Sequence, residues 1–314
     1  LVAIAGRSAS LQERLEGACV SAPGNHQTEK KIEYCLKEWV DVVAEGDQQL
    51  FAKRLAYDGL NLNAIRPLLG DVEFAGRLPS WTENLDSVLQ SSAQLEIDGL
   101  HDLFPCIADG DPLPFEEILL PFVVAARKRL HASEHCDYLT DKARAALEHF
   151  LLTRMSDLGS RVLELEFNAF LACLQFSGIP YSAASRGKDS RKHYLEFVQN
   201  MRTGGLCLLL KDYPVLARRL ATRLEQWVQL TDEFVARLRA DLAQIRSVFF
   251  ENKDVGKVAD LEPGLSDSHR QGRTVIVVTF ESGAKLVYKP KDMGLEEDYF
   301  QFADWLNARG SPLD

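Results

Sequence analysis

The stretch from Arg273 to Lys289 constrains the fold more tightly than any other part of the chain. Arg273–Phe280 reads RTVIVVTF, a β-branched run suited to a buried strand because branching at Cβ packs well on a pleated surface. Ser282-Gly283 supplies a tight turn, and Ala284–Lys289 predicts a returning strand. Alternation along that strand puts Lys285, Val287 and Lys289 on one face and Leu286 and Tyr288 on the other. A polar loop, Ser266–Gly272, precedes the hairpin, and Lys257–Leu261 (KVADL) predicts a strand ahead of the loop. A helix is expected over Leu295–Leu306, with Phe300, Phe302 and Trp305 among its apolar residues.

Upstream of residue 250 the apolar period is helical instead. Leu216, Leu220, Leu224, Trp227, Phe234, Leu238, Leu242, Ile245 and Phe249 step by threes and fours, one buried stripe on a helix or two collinear helices. Arg218, Arg219, Arg223, Arg237 and Arg239 fall on the solvated faces of that helix, where some could meet phosphates. Residues 1–60 also read as helices. Thr28 is placed to cap one that carries Ile32, Cys35, Leu36, Trp39, Val42 and Val43, with Trp39 as a packing anchor. Residues 70–80 are loop-like, Phe115–Leu130 is an apolar helix, and Thr140–Phe176 is helical with an interruption expected near Gly159. The expected fold is mainly α with a small α+β lobe: a helical region over 1–250, then a small lobe over 251–314.

Strand, loop, strand, hairpin, a strand carrying lysine, then a helix is the order of a kinase small lobe. A lysine on such a strand meets ATP phosphates as a compact cation when a nearby carboxylate holds its stem, and Glu296 or Glu297 could supply that carboxylate. The loop is neither a Gly-rich protein-kinase loop nor a Walker A loop, since GxGxxG and GxxxxGK[ST] are both absent. His101-Asp102-Leu103 has no asparagine five residues on and precedes the lysine, so it is not a kinase catalytic loop. Gly187-Lys188-Asp189-Ser190 lacks the first glycine of a P-loop.

Asp267-Ser268-His269, followed twenty residues after the histidine by the lysine of Leu286-Val287-Tyr288-Lys289-Pro290, resembles the dehydratase domain of class II lanthipeptide synthetases, the LanM family. Phe300–Asn307 (FQFADWLN) is similar to the same family's next helix. Looser likeness extends upstream through Trp39, Phe51–Leu55, Leu78–Trp81 and Pro114–Leu119. The resemblance implies a dehydratase with a lipid-kinase-like fold that phosphorylates Ser and Thr of a ribosomal precursor peptide from ATP with Mg²⁺. Elimination of phosphate then gives dehydroalanine and dehydrobutyrine. Thioether rings form in a separate cyclase domain that alone carries Zn²⁺. Carried over residue by residue, Asp267 and His269 match the loop residues needed for phosphorylation and Lys289 the strand lysine that binds ATP phosphates. The chain stops at Asp314, ahead of the catalytic aspartate, metal ligands and elimination residues that the family places downstream. The expectation is therefore an N-terminal part of such an enzyme, inactive by itself.

Other functional classes remain open on the residues alone: a helical peptide-binding module, or the small lobe of a lipid or small-molecule kinase. A formal charge of −10 argues against nucleic acid as partner, which needs a basic surface. No run of about 18 apolar residues predicts a membrane span. Six cysteines without CxxC pairs or regular spacing predict free thiols in the cytoplasm. His131, His135 and Cys136 form the one metal-like cluster, with no second ligand pair to make zinc the better reading.

Overall fold

A computed structural model describes residues 1–21, 26–94, 112–130, 136–177, 188–269 and 271–310. Mainly helical, with a small three-stranded antiparallel sheet near the C-terminus, the fold is of the class expected from the sequence. Two compact units divide the chain: Leu1–Ser133 with Leu151–Gln229, and Glu134–Phe150 with Leu230–Asp314. The unit that holds the sheet thus reaches back beyond residue 251 and takes in two helical stretches.

In the first unit the described helices are α1 (Val2–Arg7), α2 (Leu11–Leu15), α3 (His26–Ala44), α4 (Gln48–Tyr57), α5 (Leu62–Ile65), α6 (Trp81–Gln94) and α7 (Glu116–Leu130). The later part of α8 (Asp141–Phe176), then α9 (Lys188–Asn200), α10 (Leu206–Asp212) and the first part of α11 (Pro214–Phe249) complete it. Because α3 begins at His26, Thr28 lies inside the helix rather than at its cap. Ile32, Val40 and Ala44 are its buried positions, whereas Val42 is 80% exposed. Trp39 packs edge-on against Phe51, ring centroids 5.2 Å apart, over a core of Val40, Ala44, Phe51, Leu55 and Ile65. Burying each such side chain stabilises the fold by about 1.5–3 kcal/mol, which offsets the backbone entropy of short helices that would not persist alone.

Two features of this unit depart from the expected pattern. Cys19–Ser21 (β1) pairs antiparallel with Val72–Phe74 (β2), in segments read as helical and as loop. Gly159 does not interrupt α8, which runs unbroken from Asp141 to Phe176. Between α9 and α10 a wide turn, Met201–Gly205, crosses a kink in which Gly204 has φ 127°. A Cβ on Gly205 would stand 2.7 Å from the Asn200 carbonyl oxygen, so this turn needs glycine.

The second unit is built on β3 (Val258–Pro263), β4 (Ile276–Phe280) and β5 (Lys285–Tyr288), in the order β3-β4-β5. Val258, Leu261, Val278 and Phe280 are buried. The hairpin closes over Glu281–Gly283: Gly283 N donates to Phe280 O at 2.9 Å, and Phe280 N to Ala284 O at 2.9 Å. Gly283 takes φ 81°, the left-handed residue that a three-residue hairpin loop requires. The first turn of α8 is stitched to β3. Thr140 Oγ1 donates to Ala259 O at 3.0 Å and accepts from Ala143 N at 3.3 Å, which caps the helix and ties it to the strand at once. Helix α12 (Gly294–Asn307) closes the described chain.

Candidate functional site

Register decides what the sheet can bring together. Pro263 pairs with Ile276, and Ile276 with Tyr288. The end of β3, the start of β4 and the end of β5 therefore share one end of the sheet. From that end extend both the connection between β3 and β4, which carries Asp267, Ser268 and His269, and Lys289, which directly follows β5.

The connection is a closed loop, not an extended arm. Leu265 N donates to Val275 O at 3.3 Å, Val275 N to Ser266 Oγ at 3.1 Å, and Gly264 N to the buried Thr274 Oγ1 at 3.2 Å. Further out, His269 N donates to Arg273 O at 2.9 Å, and Arg273 N to His269 O at 2.8 Å. Arg273 is thus a loop-closing residue, and β4 begins at Ile276, three residues later than the β-branched run suggested. Asp267, Ser268, His269 and Lys289 are all exposed, and among the described residues none of their side chains has a hydrogen-bond or ion-pair partner. Along β5 the expected alternation holds: Lys285 and Val287 face outward, while Leu286 and Tyr288 turn inward.

A polar network on α11 anchors this end of the sheet from beneath. Arg273 Nη2 donates to Glu233 Oε2 at 2.6 Å, with both side chains 25% exposed. Arg237 Nη2 stands 2.7 Å from Glu233 Oε1, an ion pair out of hydrogen-bond alignment, so that this carboxylate oxygen is otherwise unpartnered. Arg237 Nη1 donates to Tyr288 Oη at 3.1 Å, and the Tyr288 ring packs on Phe234 at 5.1 Å between centroids. One carboxylate therefore holds the foot of the loop and, through Arg237, the residue beside Lys289. Two guanidiniums against one carboxylate leave this group with net positive charge, which favours phosphate.

Neither of the two carboxylates expected beside Lys289 pairs with it: Glu297 accepts from Gln301 Nε2 at 3.4 Å. Glu296, at the start of α12, pairs with Lys291, whose hydrogen bond holds its carboxyl below the usual range. Helix α12 has no buried residue: Leu295, Tyr299, Phe300, Phe302 and Trp305 are all exposed, with Trp305 stacked on Phe302 and under the Arg309 guanidinium. No group of three or more His, Cys, Asp or Glu side chains is placed to hold a metal ion among the described residues. His101–Leu103, His131 and His135 lie outside the described residues.

Arg218 and Arg237, both assigned to solvated faces, are tied down. Arg218 grips Glu13 with both Nη atoms, at 2.5 and 3.1 Å, donates to Ser8 O at 2.8 Å and stacks over Trp81. Glu166 accepts from Tyr213 Oη at 2.8 Å. Cys19, Cys35, Cys173 and Cys207 are free thiols. No helix among the described residues is long and apolar enough to cross a membrane.

Residues 213–314 match the family model of a domain of unknown function, DUF4135. No curated protein matches the chain. The matched region spans all of α11, the sheet, the Asp267–His269 loop, Lys289 and α12.

Proposed function

We propose that this chain is the N-terminal part of a lanthipeptide synthetase dehydratase, acting with ATP on Ser and Thr of a precursor peptide. The observation that carries the reading is the strand register, which sends the Asp267–His269 loop and Lys289 from one end of one sheet. That this end lies within a match to a domain found in lanthipeptide synthetase-like proteins supports the same reading.

The side chains fit a polyphosphate. Lys289 is exposed with no carboxylate on it, so its ammonium is free to meet phosphate oxygens as a point charge. Asp267 is the one carboxylate of the loop and His269 its one imidazole. Mg²⁺ would arrive with the nucleotide phosphates, which supply several of its oxygen ligands. The bound nucleotide and its Mg²⁺ would supply the transferable phosphoryl group. The chain's own part is to hold that group. Lys289 offsets its charge, His269 and Asp267 border it, and the Glu233–Arg273 pair keeps the loop at its position.

Equilibrium titration with Mg·ATP tests this reading. Lys289→Met should weaken binding by about 10–100-fold, the value of one charge-assisted contact. Lys285→Met, on the same strand face but nearer the hairpin turn, should leave binding unchanged. Equal affinity in all three proteins would remove Lys289 from the site.

A further inference from the structure

Arg202 lies in the first unit, in the wide turn between α9 and α10. It is 6% exposed, yet among the described residues neither Nη1 nor Nη2 has a hydrogen-bond partner. Loss of water pulls its pKa down, and among the described residues no carboxylate offsets that loss. A guanidinium carries five N–H donors and stays charged inside folded proteins. A buried cation with neither acceptor nor counter-charge is among the most destabilising arrangements a fold can hold.

The surroundings repeat the same deficit. The Met201–Gly205 turn packs against α6. On α6, Trp81 Nε1, Asn84 Nδ2 and Ser92 Oγ are also buried without a partner. The first two atoms can only donate, and the hydroxyl can do so. The acceptor side of Asn84 is already taken by Arg129. Among the described residues, the helix packed against this turn thus carries three further buried donors with no acceptor on them. The turn itself is built for one backbone path, since Gly205 excludes a Cβ and Gly204 sits at φ 127°. Wide turns of π type in helices occur frequently at functional sites. What would complete the group is a small molecule or segment end rich in acceptors and carrying negative charge.

We propose that the interior at the Met201–Gly205 turn takes up an oxyanion, a carboxylate or a phosphate group, held by the Arg202 guanidinium. This site is independent of the nucleotide reading and lies in the other compact unit.

The test measures thermal unfolding of the whole chain in an anion-poor buffer, then with sodium phosphate, sodium acetate or sodium chloride at equal ionic strength. With the bound anion at about five times its dissociation constant, the wild-type midpoint should rise by about 2–4 °C over the chloride control. A response to phosphate alone identifies a phosphate site, and a response to acetate a carboxylate site. Arg202→Met should unfold at a higher temperature than wild type in the anion-poor buffer, because it removes an uncompensated buried charge, and should not respond to either oxyanion. Lys289→Met should keep the full response, which separates this site from the sheet end. Should Arg202→Met not fold, Arg202→Lys replaces it: an ammonium lacks the planar fork and should lose most of the shift. The proposal is overturned if neither oxyanion shifts wild type beyond chloride, or if the Arg202 variants respond as wild type does.

Discussion

Glu233→Gln is the most informative single change in the second unit, because it removes one charge that two arginines share and keeps the shape. The Arg273–Glu233 contact is 2.6 Å long between side chains that are each 25% exposed. It lies between the exposed pairs worth about 0.2–1 kcal/mol and the buried ones whose disruption costs about 3–5 kcal/mol, so about 1–2 kcal/mol is assigned to it. The Arg237 pair is looser, with its guanidinium 55% exposed and its geometry misaligned, and adds at most about 0.5 kcal/mol. Loss of the carboxylate also leaves two cations near each other, so the total expected is about 2 kcal/mol. Chemical denaturation of wild type, Glu233→Gln, Arg273→Met and the double variant measures it as a cycle, with a coupling energy of about 1–2 kcal/mol expected. Half-buried charges are poorly screened, so added salt should change that coupling little. The local consequence is separable from global stability. The amides of His269 and Arg273 close the loop, and both should exchange with solvent faster in Glu233→Gln, while those of β4 and β5 should follow only the global change. A coupling energy within about 0.3–0.5 kcal/mol of zero, or loop amides that exchange as in wild type, would refute the anchoring role.

Three other outcomes follow from the geometry. Gly205→Ala should destabilise the first unit by about 1–3 kcal/mol, because its Cβ would stand 2.7 Å from a backbone oxygen; denaturant midpoints check this. For Glu13, burial works to raise the pKa, but hydrogen bonds from Arg218 and Ser10 outweigh it and hold the carboxyl below its ordinary value. A lowered folded pKa means that the stabilisation is whole above the ordinary glutamate value and is lost as pH falls through the folded one. Unfolding curves from neutral to acid pH should therefore show a decline on that acid side which is shallower in Glu13→Gln. Thr140→Val should cost about 1 kcal/mol through loss of the α8 cap and the tie to Ala259, measurable by thermal unfolding.

Local chemistry was legible in the sequence wherever it was strong. The β-branched run and the Ser-Gly turn located the hairpin to within a few residues, and the helix expected over Leu295–Leu306 runs from Gly294 to Asn307. The stripe on α11 holds through Leu220, Leu224, Trp227, Phe234 and Leu238, all buried. It then fades: Leu242 and Ile245 are half-buried, and Phe249 is 63% exposed. Periodicity states which face is apolar, but not how far along the helix a partner extends. The β1–β2 ribbon escaped detection because three residues per strand carry no readable alternation, and its two halves lie some fifty residues apart. Long-range polar pairing was equally invisible. Arg218 looks like any surface arginine until Glu13, 205 residues away in sequence, is found on it.

Asp267, His269 and Lys289 stand out in the sequence as candidate site residues, but the ion pair that anchors their loop does not. Arg273 was counted into a strand because its neighbours are β-branched, whereas its backbone closes the loop. Glu233 drew no notice, although its spacing of four from Arg237 along a helix is a recognisable pair. The carboxylate expected for Lys289 was sought in the next helix because kinase order suggests it there. In the structure, Glu296 has the nearer Lys291 instead.

Phosphoryl transfer to a peptide is read from the mass of that peptide. If the proposed function holds, a synthetase carrying this segment, incubated with a Ser/Thr/Cys-rich precursor, ATP and Mg²⁺ as wild type and as Lys289→Met, gives distinct peptide masses. Wild type should yield peptide that has lost water at Ser and Thr, by way of a phosphorylated intermediate. Lys289→Met should leave the peptide unmodified, because it acts before phosphate is transferred and slows that step by about 100–1000-fold. Dehydration at the wild-type rate in the variant, or accumulation of phosphopeptide in it, would contradict the assignment of Lys289. Wild-type enzyme that transfers no phosphate to any precursor would contradict the function itself.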